Sequence, residues 1–303
     1  MKIVIIDAVD LLPDHIDALR KYGEVVVYHD IPSEDEGIKR VADADIIIAA
    51  WLDMSPRLIS SGKKLKLIVA ATTGTDWIDL RAARDHEVIV SNAPGYGTEA
   101  VAEHTISLML QAARKAYMVG KQLREGKRDP AQYRGVELAG KTLGIVGFGR
   151  IGRRVGEIAR KGFGMKVLHT DSKSASNAFE ILLAESDFIS INASLNDLSR
   201  GLIGKSEFDM MKKGVVIVNT GRGAILDETE LFIHLQNHKI FAVGLDVLSQ
   251  EPMDLSSPLF TLENVVISPH IGFNTEEAKV RQSAIVLENV KAFIEGKPQN
   301  VVS

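Results

Sequence analysis

The chain has 303 residues, enough for about two domains of roughly 150 residues each, and 45% of them are hydrophobic, which suffices to fill two cores. Its 36 Lys and Arg residues against 40 Asp and Glu residues give a net charge of −4, which provides no general attraction to nucleic acid or to an anionic membrane. The absence of cysteine excludes disulfides, thiolate metal sites and cysteine nucleophiles, and it fits a reducing cytoplasm. The N-terminal apolar run is too short for a signal peptide, and no run approaches the roughly 20 residues that span a bilayer. We therefore expect a soluble, cytoplasmic protein with no nucleic-acid or membrane partner, and we predict no metal site.

The first 93 residues alternate short β-branched runs with amphipathic stretches. This alternation is typical of βαβ units around a parallel sheet. We predict strands at 3–6, 25–28, 46–50, 67–70 and 88–90, and helices at 13–21, 33–41, 55–61 and 76–85.

A turn-rich passage that begins at Asn92 ends at Thr98, which is a suitable N-cap for a long helix whose apolar side extends to Leu123. Residues 126–130, Gly-Lys-Arg-Asp-Pro, end that helix. Near the other end of the chain, residues 274–277, Asn-Thr-Glu-Glu, resemble a capping box that opens a helix to residue 295. Between these two helices the alternation resumes, with predicted strands at 141–146, 165–170, 188–191, 215–219, 241–245 and 265–268.

The stretch from Val146 to Gly152, Val-Gly-Phe-Gly-Arg-Ile-Gly, follows a predicted strand and leads into a helix-like segment at 153–161. Gly147, Gly149 and Gly152 stand at G-x-G-x-x-G spacing in this strand-turn-helix context. Glycines at these positions let the backbone turn tightly and approach a pyrophosphate, whose charge the helix N-terminus faces. Glycines also mark ordinary tight turns, so the motif alone leaves a dinucleotide site and a simple turn as alternatives.

Asp171 favours the dinucleotide site. It ends the next apolar run and stands 171 − 152 = 19 residues after Gly152, where a Rossmann unit places the acid that binds the adenosine ribose hydroxyls. A carboxylate there repels the additional phosphate of NADP, whereas Lys173 close by favours it. We predict NAD as the cofactor.

Four local signatures follow one another along the chain and together resemble the D-isomer-specific 2-hydroxyacid dehydrogenase family. The resemblance extends over nearly the whole sequence. It implies an α/β protein of two doubly wound parallel-sheet domains, Rossmann-like and flavodoxin-like, with the active site in the cleft between them. It also implies a substrate domain of residues 1–93 plus 275–303, an NAD-binding domain of residues 94–274, and a homodimer. The signatures are 146–152, Asn-Thr-Gly-Arg-Gly at 219–223, Gly-Leu-Asp-Val-Leu-Ser-Gln-Glu-Pro at 244–252 and Ser-Pro-His-Ile-Gly at 268–272, supported by 73–76 and 98–103.

Hydride transfer between a 2-hydroxy acid and nicotinamide requires a carboxylate clamp, a proton carrier and a group that tunes the carrier. Arg222 fits the clamp because its planar, charged fork can bind a carboxylate with two hydrogen bonds. His270 fits the carrier because an unperturbed imidazole pKa of about 6.5 lets it donate and accept protons around neutrality. Glu251 fits the third role because it can orient the imidazole and stabilise its charged form. Each of the three could singly be a surface residue, and the motif match assigns them jointly; other histidines, including His104, His234 and His238, are interpreted as structural or solvated.

The resemblance also implies which residues contact the cofactor and the substrate. The backbone amides of the turn Thr73, Gly74 and Thr75 are expected to hold the substrate carboxylate. Trp51 lies in a loop that shapes substrate choice in this family, and it is either a pocket residue or a core residue. The expected cofactor contacts are Gly147, Gly149, Arg150, Ile151, Gly152, Asp171, Thr220, Asp246 and Thr98.

Two loops differ from the patterns of related enzymes. Residues 192–195, Asn-Ala-Ser-Leu, replace the usual His-x-Pro-Leu segment next to the cofactor, so cofactor affinity or geometry is expected to differ. Residues 50–53, Ala-Trp-Leu-Asp, carry an aromatic and an acid where phosphoglycerate dehydrogenases carry an Arg, and the chain ends soon after its last helix, without room for a regulatory domain. These features favour an unphosphorylated small 2-oxo acid substrate such as glyoxylate, hydroxypyruvate or a larger apolar acid.

Two alternatives remain open from the sequence. One is an NAD(H)-sensing binding protein, since transcriptional corepressors use the same fold. The other is a phosphoglycerate dehydrogenase without a regulatory domain. A formate-dehydrogenase-like activity is disfavoured, because that resemblance requires Gln in place of Glu251.

Overall fold

The computed structural model describes residues 1–302 and separates the chain into two compact units. The first unit comprises Met1–Gly97 together with the chain from Asn274 onward, and the second unit is Thr98–Phe273. The first boundary lies 97 − 93 = 4 residues beyond the predicted one, and the second lies one residue before it. The turn after Asn92 stays with the first unit because the Asn92 N–H donates to the carbonyl of Asn300 at 3.0 Å.

The first unit is built on a five-stranded parallel sheet with the strand order β2-β1-β3-β4-β5. This order is that of flavodoxin-like doubly wound folds. Its strands are β1 Lys2–Ile5, β2 Glu24–Val27, β3 Ile46–Ala49, β4 Leu67–Ala70 and β5 Ile89–Ser91, and its helices are α1 Pro13–Leu19, α2 Glu34–Val41, α3 Pro56–Ser61, α4 Leu80–Asp85 and α11 Glu276–Ile294.

Helices cover the faces of this sheet, so its central strands are apolar along their whole length. Every residue of β3 and of β4 is buried, as expected for parallel strands covered on both faces. The returning helix α11 contributes Val286 and Val290 to the core around Ile3 and Ile5. The chain after the second unit therefore completes the core of the first.

Two helix starts in the first unit differ from the prediction. The helix expected from residue 76 begins at Leu80, because the carboxylate of Asp79 accepts the Ala82 N–H at 2.7 Å and caps it. The last helix is capped by Thr275, whose hydroxyl accepts the Ala278 N–H at 3.1 Å, and not by the residue before it.

The second unit has a six-stranded sheet in which every pair of neighbours is parallel, with the order β11-β10-β9-β8-β6-β7. Its strands are β6 Thr142–Val146, β7 Lys166–Thr170, β8 Phe188–Ile191, β9 Val215–Asn219, β10 Ile240–Leu245 and β11 Val265–Ile267. Its helices are α5 Thr98–Arg114, α6 Ala116–Arg124, α7 Arg150–Phe163, α8 Ala178–Glu185, α9 Lys205–Met210 and α10 Glu228–Gln236, with short 3₁₀ turns at Gly223–Ile225 and Pro258–Thr261.

The two sheets confirm the predicted α/β architecture of two doubly wound parallel sheets. In the second unit the chain adds β7 on one side of β6 and then crosses to add β8 on the other side. Open α/β sheets bind ligands beyond the carboxyl ends of the strands at such a switch point. The fold therefore places a binding crevice where β6 and β8 end.

Three predictions about helices of the second unit were wrong. The single helix expected from Thr98 to Leu123 is broken at Lys115, which adopts a left-handed conformation with φ 53°. Thr98 is the first helical residue of α5, not its N-cap. The helix after the glycine motif begins at Arg150, three residues before the predicted start. Among the helices of residues 1–302, none combines the length and the apolar character that crossing a bilayer requires.

Candidate functional site

The predicted site residues of the second unit lie just beyond the carboxyl ends of adjacent strands. Thr220 and Arg222 follow β9, Asp246 follows β10, and His270 follows β11. These three strands are neighbours in the sheet and run in the same direction. Residues that are far apart in the sequence are therefore brought to one edge of one sheet.

The passage from β6 into the first turn of α7 requires glycine at two positions. Gly147 has φ 92°, and a Cβ atom there would lie 2.5 Å from the backbone nitrogen of Ala193. A Cβ on Gly152 would lie 2.1 Å from the carbonyl oxygen of Gly147. Gly149, the N-cap of α7, has no atom within 4 Å of the position of its missing Cβ. The loop thus closes tightly and leaves open space at a helix N-terminus, which fits the pyrophosphate of a dinucleotide.

Asp171 carries a charge at the end of the neighbouring strand β7. Its carboxylate accepts hydrogen bonds from the Lys173 N–H at 2.9 Å and from the Ser174 hydroxyl at 3.1 Å, both on Oδ1. These bonds hold the pKa of Asp171 below its ordinary value. The side chain is exposed and ionised at neutral pH, so it fits a ribose diol and opposes a phosphate group.

Asn192, which departs from the family pattern, is directly hydrogen-bonded to Thr220, a predicted cofactor contact. The Asn192 side-chain amide donates to the Thr220 hydroxyl at 3.0 Å and accepts from the Ser190 hydroxyl at 2.8 Å. The Thr220 hydroxyl also contacts the hydroxyl of Thr105 on α5 at 2.8 Å. Asn192 therefore holds together the loops that follow the neighbouring strands β8 and β9.

His270 and Glu251 meet as a pair. The imidazole Nδ1 lies 2.6 Å from Oε2 of Glu251, and both side chains are about one third exposed, 28% and 35%. The His270 backbone is left-handed with φ 53°, and its ring packs edge-on against Phe273 with the centroids 6.1 Å apart. The structure thus brings two of the three predicted catalytic groups into contact.

Asp246 holds the loop that carries His270. The Asp246 side chain is buried, and its carboxylate accepts the Ser268 hydroxyl at 2.7 Å, the Ile271 N–H at 3.0 Å and the Gly272 N–H at 2.8 Å. The Asp246 carbonyl accepts the His270 N–H at 2.8 Å. A side chain at Gly272 would not fit, because its Cβ would lie 2.8 Å from the Asp246 carboxylate. The residues on both sides of His270 are therefore fixed to one carboxylate.

His104, on α5, completes this network. Its Nε2 lies 2.8 Å from the Ser268 hydroxyl and 3.2 Å from the Asp246 carboxylate. The Ser268 proton is used on Asp246, so Nε2 of His104 is the donor in both contacts. Burial opposes ionisation of Asp246, but the four hydrogen bonds from His104, Ser268, Ile271 and Gly272 together keep the pKa of Asp246 below its ordinary value. The sequence predicts only that His104 is structural or solvated, and it does not predict the contacts of His104 with Ser268 and Asp246.

A buried asparagine shapes the loop that carries Arg222. Asn219 accepts the Gly221 N–H at 3.0 Å and donates to the Arg222 carbonyl at 2.9 Å. The guanidinium of Arg222 donates to the Gly221 carbonyl at 2.9 Å. The next residue, Gly223, packs so closely on the backbone of Leu248 that a Cβ would lie 1.9 Å from its carbonyl carbon. The Arg222 loop is thus packed against the segment that leads to Glu251.

The predicted substrate contacts of the first unit lie in two defined turns. The Thr73 hydroxyl donates to the Ala93 carbonyl at 3.1 Å, and the Gly74 carbonyl accepts the Trp77 indole N–H at 3.1 Å. Trp51 is 42% exposed, which rules out the alternative that it is a core residue. The described residues 1–302 include no group of three or more His, Asp and Glu side chains that could hold a metal ion.

Comparison with known proteins bears on the identity of both units. A family model for the NAD-binding domain of D-isomer-specific 2-hydroxyacid dehydrogenases matches residues 106–272. The glyoxylate reductase of Aeropyrum pernix is 37% identical over 315 residues, which cover 97% of this chain and 94% of that protein. The D-3-phosphoglycerate dehydrogenase of Archaeoglobus fulgidus is 36% identical over 309 residues, but the chain spans only 58% of its length. Among solved structures, an acyclic imino acid reductase in complex with NADPH and D-Arg has a TM-score of 0.92 at 32% identity, with 100% of both chains covered.

Replacing Asp171 with Ser should weaken the preference for NADH over NADPH by roughly tenfold, because it removes one charge that opposes the phosphate. Lys173→Ala should shift the preference in the opposite direction. The measurement is the dissociation constant of each reduced cofactor, followed by its fluorescence. If the ratio of the two constants does not change in Asp171→Ser, Asp171 does not contact the ribose.

Replacing Asp246 with Asn should lower the free energy of unfolding at neutral pH by about 1–3 kcal/mol, because buried donors lose their acceptor. A carboxyl with a lowered pKa in the folded state stabilises the fold above its unfolded pKa and loses that effect as the pH falls through its folded pKa. The difference between the wild type and the variant, measured by urea denaturation, should therefore shrink below the ordinary carboxyl value of 3.8. Asp254→Asn, at an exposed carboxyl, is the control. Equal effects of the two substitutions would contradict a role of Asp246 in fixing the loop.

Proposed function

The chain belongs to the D-isomer-specific 2-hydroxyacid dehydrogenase family and is an NAD-dependent oxidoreductase, and from that premise we propose which substrate it takes and which residues act on it. The substrate is an unphosphorylated 2-oxo acid, reduced to the D-2-hydroxy acid or formed from it. The observation that carries the proposal is the contact of His270 with Glu251 at the sheet edge where Arg222 also lies.

His270 is the proton carrier. Glu251 accepts the hydrogen bond of Nδ1–H, which fixes the ring orientation and leaves Nε2 as the nitrogen that exchanges a proton with substrate. In reduction, NADH held at the glycine loop would supply the hydride for the 2-oxo carbon. Protonated His270 gives its proton to the carbonyl oxygen, and the carboxylate of Glu251 stabilises the imidazolium before the transfer.

Arg222 is the carboxylate clamp. Its guanidinium holds the substrate carboxylate and draws electron density from the adjacent carbonyl, which favours attack at the 2-oxo carbon. The two hydrogen bonds of the Asn219 side chain to this loop support the assignment, because they fix the backbone from which the guanidinium extends. We likewise propose that the amides of Thr73, Gly74 and Thr75 bind the substrate carboxylate. The cofactor contacts expected from the family resemblance stay predictions.

The loop after β3 supports an unphosphorylated substrate. The backbone N–H groups of Ala50, Trp51 and Leu52 all donate to the carboxylate of Asp7, so they are not available to an anion. The exposed groups of this loop are the indole of Trp51 and the carboxylate of Asp53. An aromatic ring beside an acid suits a small or apolar substituent better than a phosphate.

The alternatives have less support. Against the phosphoglycerate alternative, residues 50–53 carry no cation that could bind a phosphate. An NAD(H)-sensing protein would bind the cofactor without turnover. We further propose that the protein is a cytoplasmic homodimer, which the family resemblance and the cysteine-free composition support.

His270→Gln should lower turnover by about 10²–10⁴-fold, the usual contribution of a general acid or base, and should leave the dissociation constant of NADH nearly unchanged. NADH oxidation is followed with glyoxylate, hydroxypyruvate, a larger apolar 2-oxo acid and phosphohydroxypyruvate. His29→Gln, at an exposed histidine of the first unit, is the control and should behave like the wild type.

Three outcomes would contradict this proposal. Equal losses of turnover and NADH binding in His270→Gln would mean that the residue is structural. Preferential reduction of phosphohydroxypyruvate by the wild type would favour the phosphoglycerate alternative. NADH binding without reduction of any acid would favour the sensing alternative.

A further inference from the structure

Asp7 is a fully buried acid at the carboxyl end of β1. Its Oδ2 accepts the N–H groups of Trp51 and Leu52, both at 2.8 Å, and Ala50 N–H lies 3.1 Å from the same oxygen. Three consecutive backbone donors thus converge on one carboxylate, an arrangement that forms an anion nest from the chain itself. Because β1 and β3 are neighbours, Asp7 fixes the loop after β3 from the adjacent strand end.

This arrangement costs stability. Burial raises the pKa of Asp7 above its ordinary value, although the three N–H bonds act in the opposite direction. The guanidinium of Arg40 on α2 contributes positive charge, but its own hydrogen bonds go to the Ile6 carbonyl and to Asp30. Glu36 and Tyr28 also face Arg40, at 3.7 Å and 3.9 Å. A neutral amide would cost less to bury, but it could not accept all three N–H groups, so the carboxylate is what holds the loop in this form.

The fixed loop exposes one large side chain. Leu52 and Met54 are buried in the core of the first unit, whereas Trp51 between β3 and Leu52 is 42% exposed. Gly37 on α2 packs against Leu52, and a Cβ there would lie 2.7 Å from a Leu52 methyl group. The neighbours of Trp51 are anchored and its N–H is bound to Asp7, so the backbone that carries the half-exposed indole is fixed at the carboxyl edge of the sheet.

We propose that Asp7 is a specificity-determining positioning residue, which holds the Trp51 indole in one orientation so that it contacts the substituent on the 2-oxo carbon of the substrate. This inference rests on the proposed function. Asp7 itself does not touch substrate. The effect of Asp7 on kcat/KM therefore depends on the size of the substituent on the 2-oxo carbon of the substrate.

The variant that tests this is Asp7→Asn. An Asn oxygen can accept two of the three N–H groups, but its amide hydrogens repel the third, so the loop has to move. Asp45→Asn is a matched control: the Asp45 carboxylate also accepts a backbone N–H, that of Lys2 at 2.8 Å, but next to the opposite end of β3. Both variants are first compared with the wild type by circular dichroism and thermal unfolding.

The first measurement is kcat/KM for glyoxylate and for 4-methyl-2-oxopentanoate. Glyoxylate has only hydrogen on its 2-oxo carbon, so it has no substituent for Trp51 to contact. We expect Asp7→Asn to lower the preference for the larger acid by roughly fivefold to tenfold, the scale of one or two methylene contacts. Asp45→Asn should leave the preference unchanged. Equal losses for both acids in Asp7→Asn, or the same change in both variants, would overturn the proposal.

The second measurement does not require turnover. The chain has two tryptophans, so Trp77→Phe leaves Trp51 as the only indole reporter. In that background Asp7→Asn should lower the fluorescence anisotropy of Trp51 and increase its quenching by acrylamide, and Asp45→Asn should not. An unchanged Trp51 signal would overturn the inference, whereas absence of turnover in the wild type would overturn the proposed function alone.

Discussion

The carboxylate of Asp246 is the interaction on which the candidate site depends. It gathers the Ser268 hydroxyl and two N–H groups from the residues after His270, and so it fixes a loop that is otherwise only a left-handed turn at a strand end. Glu251 then meets the imidazole Nδ1 at 2.6 Å on a backbone that these bonds fix. Catalytic groups have to be held within a fraction of an ångström, and the proposed proton carrier is held here by an acid that is itself buried.

In each unit a buried aspartate at a strand end binds the backbone of a neighbouring loop, but the pKa values of the two aspartates are shifted in opposite directions. Asp7 and Asp246 both follow a strand of a parallel sheet, and both collect backbone N–H groups from the neighbouring strand's loop. Asp246 also receives side-chain donors from His104 and Ser268, so its pKa is lowered, whereas burial dominates at Asp7 and its pKa is raised. A buried acid at a strand end is thus a means of ordering the loops from which α/β proteins build their sites.

The sequence predicts the sheets well, because parallel strands covered on both faces must be short apolar runs, and such runs have few alternative interpretations. Helix ends are less predictable. Asp79 rather than Asp76 opens α4, and Thr275 opens α11, because the cap is whichever nearby side chain reaches the free N–H groups. The helix predicted from Thr98 breaks at Lys115, and no glycine or asparagine at that position indicates a left-handed residue in the sequence.

Some features of the candidate site can be predicted from the sequence, and others cannot. The glycine loop, Asp171 and the contact of Glu251 with His270 follow from local motifs, and the match of residues 106–272 confirms the NAD-binding domain they indicate. Asp7 and His104 act on residues distant in the sequence, and a single sequence does not show such pairs. Asn192 is visible as a departure from the family pattern, but its bond to Thr220 is not.

The most direct test of this account is a crystal structure of the protein with NAD and oxamate, a stable analogue of a 2-oxo acid. We expect the oxamate carbonyl oxygen within hydrogen-bond distance of His270 Nε2, about 2.7–3.2 Å, with Glu251 on Nδ1 and the carboxylate on Arg222. An oxamate bound away from His270, or an imidazole separated from Glu251 in the complex, would contradict the assignment of these three residues.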